Sequence, residues 1–212
     1  MNKYELYKLK VAGLSNEQVF RIVSYWEMNG DWPDLEKIAQ LAGCRNQALF
    51  IERYIRIDDQ ILREEFKEFD SISIMDEEYP EELLWMHNPP VLLFYEGNID
   101  LLKHPKIAVV GSRRCSRTGI HSVEKIINEL NNELVVVSGL AKGIDAASHY
   151  AAIQNGGKTI GVIGTGLDVY YPRCNKQLQK HMSERYLVLT EYGPGQGPQK
   201  HHFPERNRII AG

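Results

Sequence analysis

The chain has 212 residues, 43% of them hydrophobic, 25% charged and 9% aromatic, a balance that excludes a collagen-like repeat, a coiled coil or a wholly disordered chain. Its longest apolar runs, VLLFY, IAVV and LVVV, fall far below the ~20 residues of a membrane span. The net charge of -3 conceals an asymmetry: residues 1–105 carry 11 Lys+Arg against 20 Asp+Glu, whereas residues 106–212 carry 14 against 8 and five of the seven histidines. An acidic front and a basic back point to two regions with different tasks, the second favouring an anionic partner; ordinary solvated surface is the alternative, and charge alone does not decide between them.

Residues 1–70 read as a small bundle of four or five short helices. Ser15 and Gln18 have the form of a capping box, followed by Val19, Phe20, Ile22, Val23 and Trp26 at helical spacing, and Asn29-Gly30 stops the run. Asp34 is placed to cap a short helix that Gly43 ends. Two more helices are expected at 46–57 and 59–68. Nothing here resembles a catalytic constellation, so the bundle is expected to be an interaction or accessory module. Residues 71–105 read as a linking segment with strands at 71–75 and 91–95.

From residue 106 the texture becomes β-α-β-α. Apolar strand-like runs lie at 107–110, 134–137, 160–163 and 187–190, with helices expected at 118–131, 143–155 and 174–184. Continuous rather than alternating apolar strands are expected where helices cover both faces of a parallel sheet. The fold class expected is therefore α/β: a Rossmann-like parallel sheet with helices on both faces, preceded by an all-helical domain.

Three successive strands run into glycine-rich turns. The first holds Gly111, Ser112, Arg113 and, further on, Gly119. The second holds Ser138, Gly139, Lys142 and Gly143. The third runs from Gly164 through Gly166 to Tyr171, Pro172, Arg173 and Asn175. In a parallel sheet such turns share one edge, where ligands bind. Glycines there permit close approach, helix N-termini offer free N–H groups, and Arg113, Lys142 and Arg173 add full charges, so the edge suits phosphate. A fourth segment after the last strand adds Lys200, Phe203, Arg206 and Asn207, with Phe203 offering a face on which a base can stack. The structural alternative is that Phe203 plugs the core and Arg206 pairs with an acid such as Glu191. Arg208, followed at once by Ile209-Ile210, is given the structural reading.

Which phosphate ligand is bound is narrowed by what is missing. The first loop lacks the G-K-[ST] of a Walker motif, and Val169 occupies the third glycine position of a dinucleotide fingerprint. No cofactor is therefore expected. Histidines 149, 201 and 202 lack cysteine or carboxylate neighbours at ligand spacing, so no metal is expected either. Asp145 and Asp168 have the chemistry of an acid/base pair, but a helix-dipole or capping role is the more economical account of Asp145. Three scattered cysteines (Cys44, Cys115, Cys174) without C-x-x-C, and an N-terminus without an apolar signal segment, fit a reducing cytoplasm.

The ordered motifs G-S-R-x-x-[ST]-x-x-G, S-G-L-A-x-G-I-D-x-x-x-H, G-T-G-L-D-x-x-Y-P-x-x-N and F-P-x-R-N-R-I-I-A-G resemble the DNA-processing protein A (DprA/Smf) family, over residues 79–212. The helical region 1–70 resembles the sterile-alpha-motif-like domain of streptococcal members. The resemblance implies three parts: that domain, a segment 71–105 packing on the next, and a Rossmann-like DNA-binding domain at 106–212. It also implies a non-catalytic protein that binds single-stranded DNA, protects incoming strands during natural transformation and loads a RecA-type recombinase. Arg113, Arg173, Lys200 and Phe203 match the family's DNA-contacting positions. Family chains continue past the final A-G, whereas this one stops at Gly212, inside the expected opening turn of a helix. The resemblance thus implies a truncated chain without the surface that gives the family its homodimer and overlaps the recombinase contact. Two rival readings stand beside it. One is a nucleoside-monophosphate hydrolase on a similar fold, whose P-G-G-x-G-T motif is absent. The other is a scaffold whose N-terminal helices recruit a partner.

Overall fold

The computed structural model describes residues 2–130 and 133–212. The chain divides into two compact units, Met1–Leu92 and Leu93–Gly212.

The first unit holds helices α1 (Lys3–Val11), α2 (Asn16–Asn29), α3 (Leu35–Leu41), α4 (Gln47–Arg56) and α5 (Asp59–Lys67), then strand β1 (Asp70–Ser73) and a single turn α6 (Glu81–Leu84). The Ser15–Gln18 capping box forms with both of its hydrogen bonds, and Gly30 ends α2 at φ +79°, the left-handed turn that glycine takes without a Cβ penalty. Asp34 caps α3 through the Lys37 N–H.

Helix α1 escapes period-based reading because Tyr7-Lys8-Leu9-Lys10-Val11 alternates like a strand. It is helical because Asn2 caps it and because Leu6 and Leu9 are wholly buried. The Asp59 carboxylate fastens it to α5, accepting from Tyr4 Oη at 2.6 Å, Lys8 Nζ at 2.9 Å and Arg63 Nε at 2.7 Å. The hydrogen bond from Tyr4, first among these donors, holds that carboxyl well below the usual carboxylate range. After β1, Ile74 N–H donates to Val91 O.

The second unit is a sheet with the strand order β2-β6-β5-β4-β3. Its strands are β2 (Leu92–Gly97), β3 (Lys106–Ala108), β4 (Val135–Gly139), β5 (Thr159–Val162) and β6 (Leu187–Thr190). Strands β3 to β6 are parallel, with Val136 opposite Thr159 and Ile160 opposite Leu187. Strand β2, in the segment read as linking, pairs antiparallel with β6 from Phe94↔Thr190 to Gly97↔Leu187. Gly97, at φ +104°, makes this pairing possible, since a Cβ there would collide with Tyr186 O.

The crossovers are α7 (Arg117–Glu129), α8 (Ile144–Gln154) and α9 (Lys176–Arg185), and α10 (His202–Ala211) follows β6. The helix expected at 118–131 ends within the described residues at Glu129; Asn131 lies outside them. Val136 packs with Ile127 of α7 and with Ala151 and Ala152 of α8. Gly139, of opposite parity on β4, faces Arg206 of α10. Helices therefore cover both faces. Where the sequence led us to expect only the opening turn of a helix, α10 runs for ten residues.

His149 of α8 is fully buried and ties the helix to the sheet. Its Nε2 lies 2.9 Å from Gly139 O and its Nδ1 2.6 Å from Thr159 Oγ1. A carbonyl only accepts, so Nε2 carries the proton; the Thr159 hydroxyl beside Nδ1 donates to Val136 O at 2.8 Å. Burial draws the His149 pKa down to about 4. The unfolded chain then binds more protons at mildly acidic pH, so this contribution to stability is complete above pH ~6.5 and is lost as pH falls toward 4. Urea unfolding at pH 7 and pH 4.5 is expected to show a loss on the order of 2–3 kcal/mol from this group. The loss should be absent from the pH dependence of His149→Gln.

Candidate nucleic-acid interface

Because β3 to β6 run parallel, the turns that follow them open at one sheet edge, as the sequence led us to expect. What joins these turns is mostly packing against one another. A Cβ on Gly111 would lie 2.6–2.7 Å from the Ile144 side chain, and one on Gly143, at φ +81°, would strike Ser112 O and approach Arg113 Cα to 3.0 Å. Ile144 N–H donates to that same Ser112 O at 3.2 Å. The first and second turns are thus interlocked through two glycines.

The buried Asp145 carboxylate reinforces the joint by accepting the Ala141 and Gly111 N–H groups. Burial raises its pKa, opposed first by the Arg206 guanidinium and then by those N–H groups. Burial likewise lowers the pKa of Arg206, and Asp145 opposes it. Both side chains converge over Gly139, where any Cβ would collide with Arg206 Nη1 and Asp145 Oδ2. Arg206 Nη1 also donates to Val162 O.

The remaining turns are tied in the same way. Asn175 Nδ2 donates to Leu140 O and Ala141 O at 2.9 and 3.0 Å, joining the third turn to the second. Gly166 N–H donates to Gln196 O, and the Asp168 carboxylate accepts from Gly195 N–H at 2.9 and 3.0 Å, joining the third to the fourth. Ser138 Oγ donates to Val109 O at 2.6 Å.

Around this frame lies a cavity of about 230 Å³, lined by Arg113, Lys142, Tyr171, Phe203 and Arg206, with Leu140, Ala141, Ile163, Gly164 and Pro172 completing its wall. The Arg113 guanidinium sits over the Phe203 ring, 5.2 Å from its centroid, and the Tyr171 ring is 5.5 Å from the same ring. Gly164 lets the ring in, since a Cβ there would lie 3.3 Å from Phe203.

Of the residues expected at the site, Arg113, Lys142, Phe203 and Arg206 line this cavity. Gly111, Ser112, Ser138, Gly139, Gly143, Gly166 and Asn175 build its frame. Arg173 is exposed and follows Pro172 of the wall, and Lys200 is exposed three positions before Phe203. Gly119 donates its N–H to the Ser116 cap of α7, and Asn207 is exposed on α10.

Tyr171 and Asp145 were not among the expected site residues. The tyrosine-proline pair is the signal for the first, but burial of a carboxylate has no sequence signature. The pairing suggested for Glu191 is corrected: Arg208, not Arg206, bonds to it, because Arg206 turns inward to Asp145. His202 is buried with Nδ1 3.0 Å from Gly164 O, and its ring stacks on Tyr192 at 3.8 Å.

Two family models match the chain: DNA recombination-mediator protein A over residues 70–212, and the DNA processing protein A sterile alpha motif domain over residues 1–62. The DNA processing protein DprA of Streptococcus pneumoniae is 59% identical over the whole chain, which covers 75% of its length. The Bacillus subtilis protein of the same name is 44% identical over 67% of the chain and 48% of its own length. The X-ray structure of the pneumococcal protein matches with a TM-score of 0.98 over 100% of this chain and 75% of that one. DNA processing protein A from Helicobacter pylori, whose structure was determined for its single-stranded DNA binding mode, matches with a TM-score of 0.60 at 29% identity, over 68% of this chain and 65% of that one. With both models matching in chain order on a helical unit followed by an α/β unit, the chain belongs to the DNA processing protein A (DprA/Smf) family.

Proposed function

We propose that this protein binds single-stranded DNA at the cavity rim and acts as a recombination mediator. The observation that carries the reading is the convergence of Arg113 and Lys142 with two aromatic rings, Tyr171 and Phe203, on one cavity. Cations beside stackable rings suit an unpaired strand: the phosphates meet the charges, and a base meets a ring face that a duplex cannot reach. The Helicobacter relative's single-stranded DNA binding mode supports the same assignment.

On this reading Arg173 and Lys200 flank the strand, binding is sequence-tolerant, and no bond in the DNA is made or broken. Protection of incoming strands, delivery to a RecA-type recombinase in the cytoplasm and homodimer formation belong to the same proposal. They rest on the family. No helix among the described residues is long and apolar enough to cross a membrane.

Arg113→Ala is expected to weaken oligo-dT binding about tenfold, roughly 1.4 kcal/mol. It should also reduce the slope of log K against log salt by about 0.7, the value for one lost phosphate contact on a single strand. Binding equal to the parent at every salt concentration would remove Arg113 from the site. Release of free base from a nucleoside monophosphate would favour a hydrolase.

A further inference from the structure

We infer that the exposed face of α9 extends the DNA path beyond the cavity, with Lys176 and Lys180 as a second phosphate-binding track. This rests on the single-stranded DNA reading above. Lys176 Nζ lies 4.8 Å and Lys180 Nζ 5.7 Å from the centroid of one ring, that of Tyr170. The two lysines are one helical turn apart, a rise of ~6 Å. Both are exposed, and neither has a carboxylate within ion-pair distance among the described residues.

Three exposed lysines elsewhere are differently placed. Lys67, Lys103 and Lys125 pair with Glu64, Asp100 and Glu129 on their own turns. Two ammonium groups held over one ring without a counter-charge repel each other, and an anion seated between them relieves that repulsion.

The track is continuous with the cavity. Tyr170 adjoins Tyr171 of the cavity wall, and Arg173 stands between Pro172 and the start of α9. Asn175, immediately before Lys176, is hydrogen-bonded to Ala141, the neighbour of Lys142. A strand leaving the cavity past Tyr171 therefore meets Arg173, then Lys176, then Lys180. Glu184, one turn further along α9, ends the run of positive charge. The ligand is the phosphodiester backbone itself, read without regard to base.

The test compares two oligo-dT lengths, about five nucleotides and about twenty, the first short enough to be held largely within one site. For the parent, affinity should rise with length. In Lys176→Ala/Lys180→Ala the gain from the longer strand should shrink about tenfold, with a salt slope for the long oligonucleotide smaller by about 1.4, two contacts' worth. Lys176→Arg/Lys180→Arg should restore both. Removing the paired lysines in Lys103→Ala/Lys125→Ala should alter neither.

An unchanged length dependence in the Lys176/Lys180 variant overturns the track, as does an equal loss in the Lys103/Lys125 variant. Arg113→Ala separates the two readings. If it weakens both lengths while Lys176→Ala/Lys180→Ala weakens neither, only the track fails. If it too binds like the parent, the underlying DNA site fails with it.

Discussion

Arg206→Met is expected to destabilise the second unit by about 3 kcal/mol, the cost of leaving a buried charge without its counterpart. Arg206 is 4% exposed and Asp145 6%, so water cannot take over what the guanidinium supplies. Methionine fills much of the volume but leaves the carboxylate with the Ala141 and Gly111 N–H groups and no guanidinium beside it, and Val162 O without this donor. Asp145→Asn alone keeps some hydrogen bonding to the turns but strands the guanidinium. The double variant should therefore lose less than the sum of the two single losses, with a coupling above about 1 kcal/mol in a urea-unfolding cycle. Strict additivity would show that the two charges do not compensate each other.

The second large effect is expected from Gly143→Val, which removes no charge. At φ +81° an L-residue is strained by about 1–3 kcal/mol, and its Cβ would lie 2.2 Å from Ser112 O. The first turn must then move, carrying Arg113 away from Phe203. Oligo-dT affinity should fall at least as far as in Arg113→Ala, although every lysine and arginine is still present. Gly156 is the control: it also has positive φ (+69°), but nothing lies within 4 Å of its Cβ position. Gly156→Ala should cost about 1 kcal/mol of stability and leave DNA affinity intact. If Gly143→Val binds DNA normally, the interlock does not position Arg113.

Much of this architecture was legible in the residues. The strands of the second unit announced themselves as short β-branched runs, and the caps Ser15 and Asp34 marked helix starts because their side chains satisfy N–H groups that would otherwise be orphaned. The charged and aromatic members of the cavity stood out because lysine, arginine and phenylalanine after apolar strands have few structural uses. What could not be read were relations between turns. Asp145 looks like an ordinary helix-start acid until its burial against Arg206 is known. Asn175 looks like a turn residue until its amide is seen to reach Leu140 and Ala141, 35 and 34 positions away. In sequence the glycines read as making room for a ligand, whereas Gly143 and Gly166 make room for the backbone of a neighbouring turn. The antiparallel course of β2 was likewise hidden, since an apolar run carries no sign of its direction.

The interlocked turns have a consequence for how such a surface can change. With Gly111 set against Ile144, Gly143 against Ser112 and Gly166 against Gly193, an alteration in one turn is transmitted to its neighbour as a shift of main chain. Substitutions along the rim should therefore rise and fall in concert, and a combinatorial scan should return blocks of positions instead of independent ones. On the single-stranded DNA reading, the same rigidity spares an arriving strand the entropy of ordering four separate segments, so its recognition begins from a surface already set.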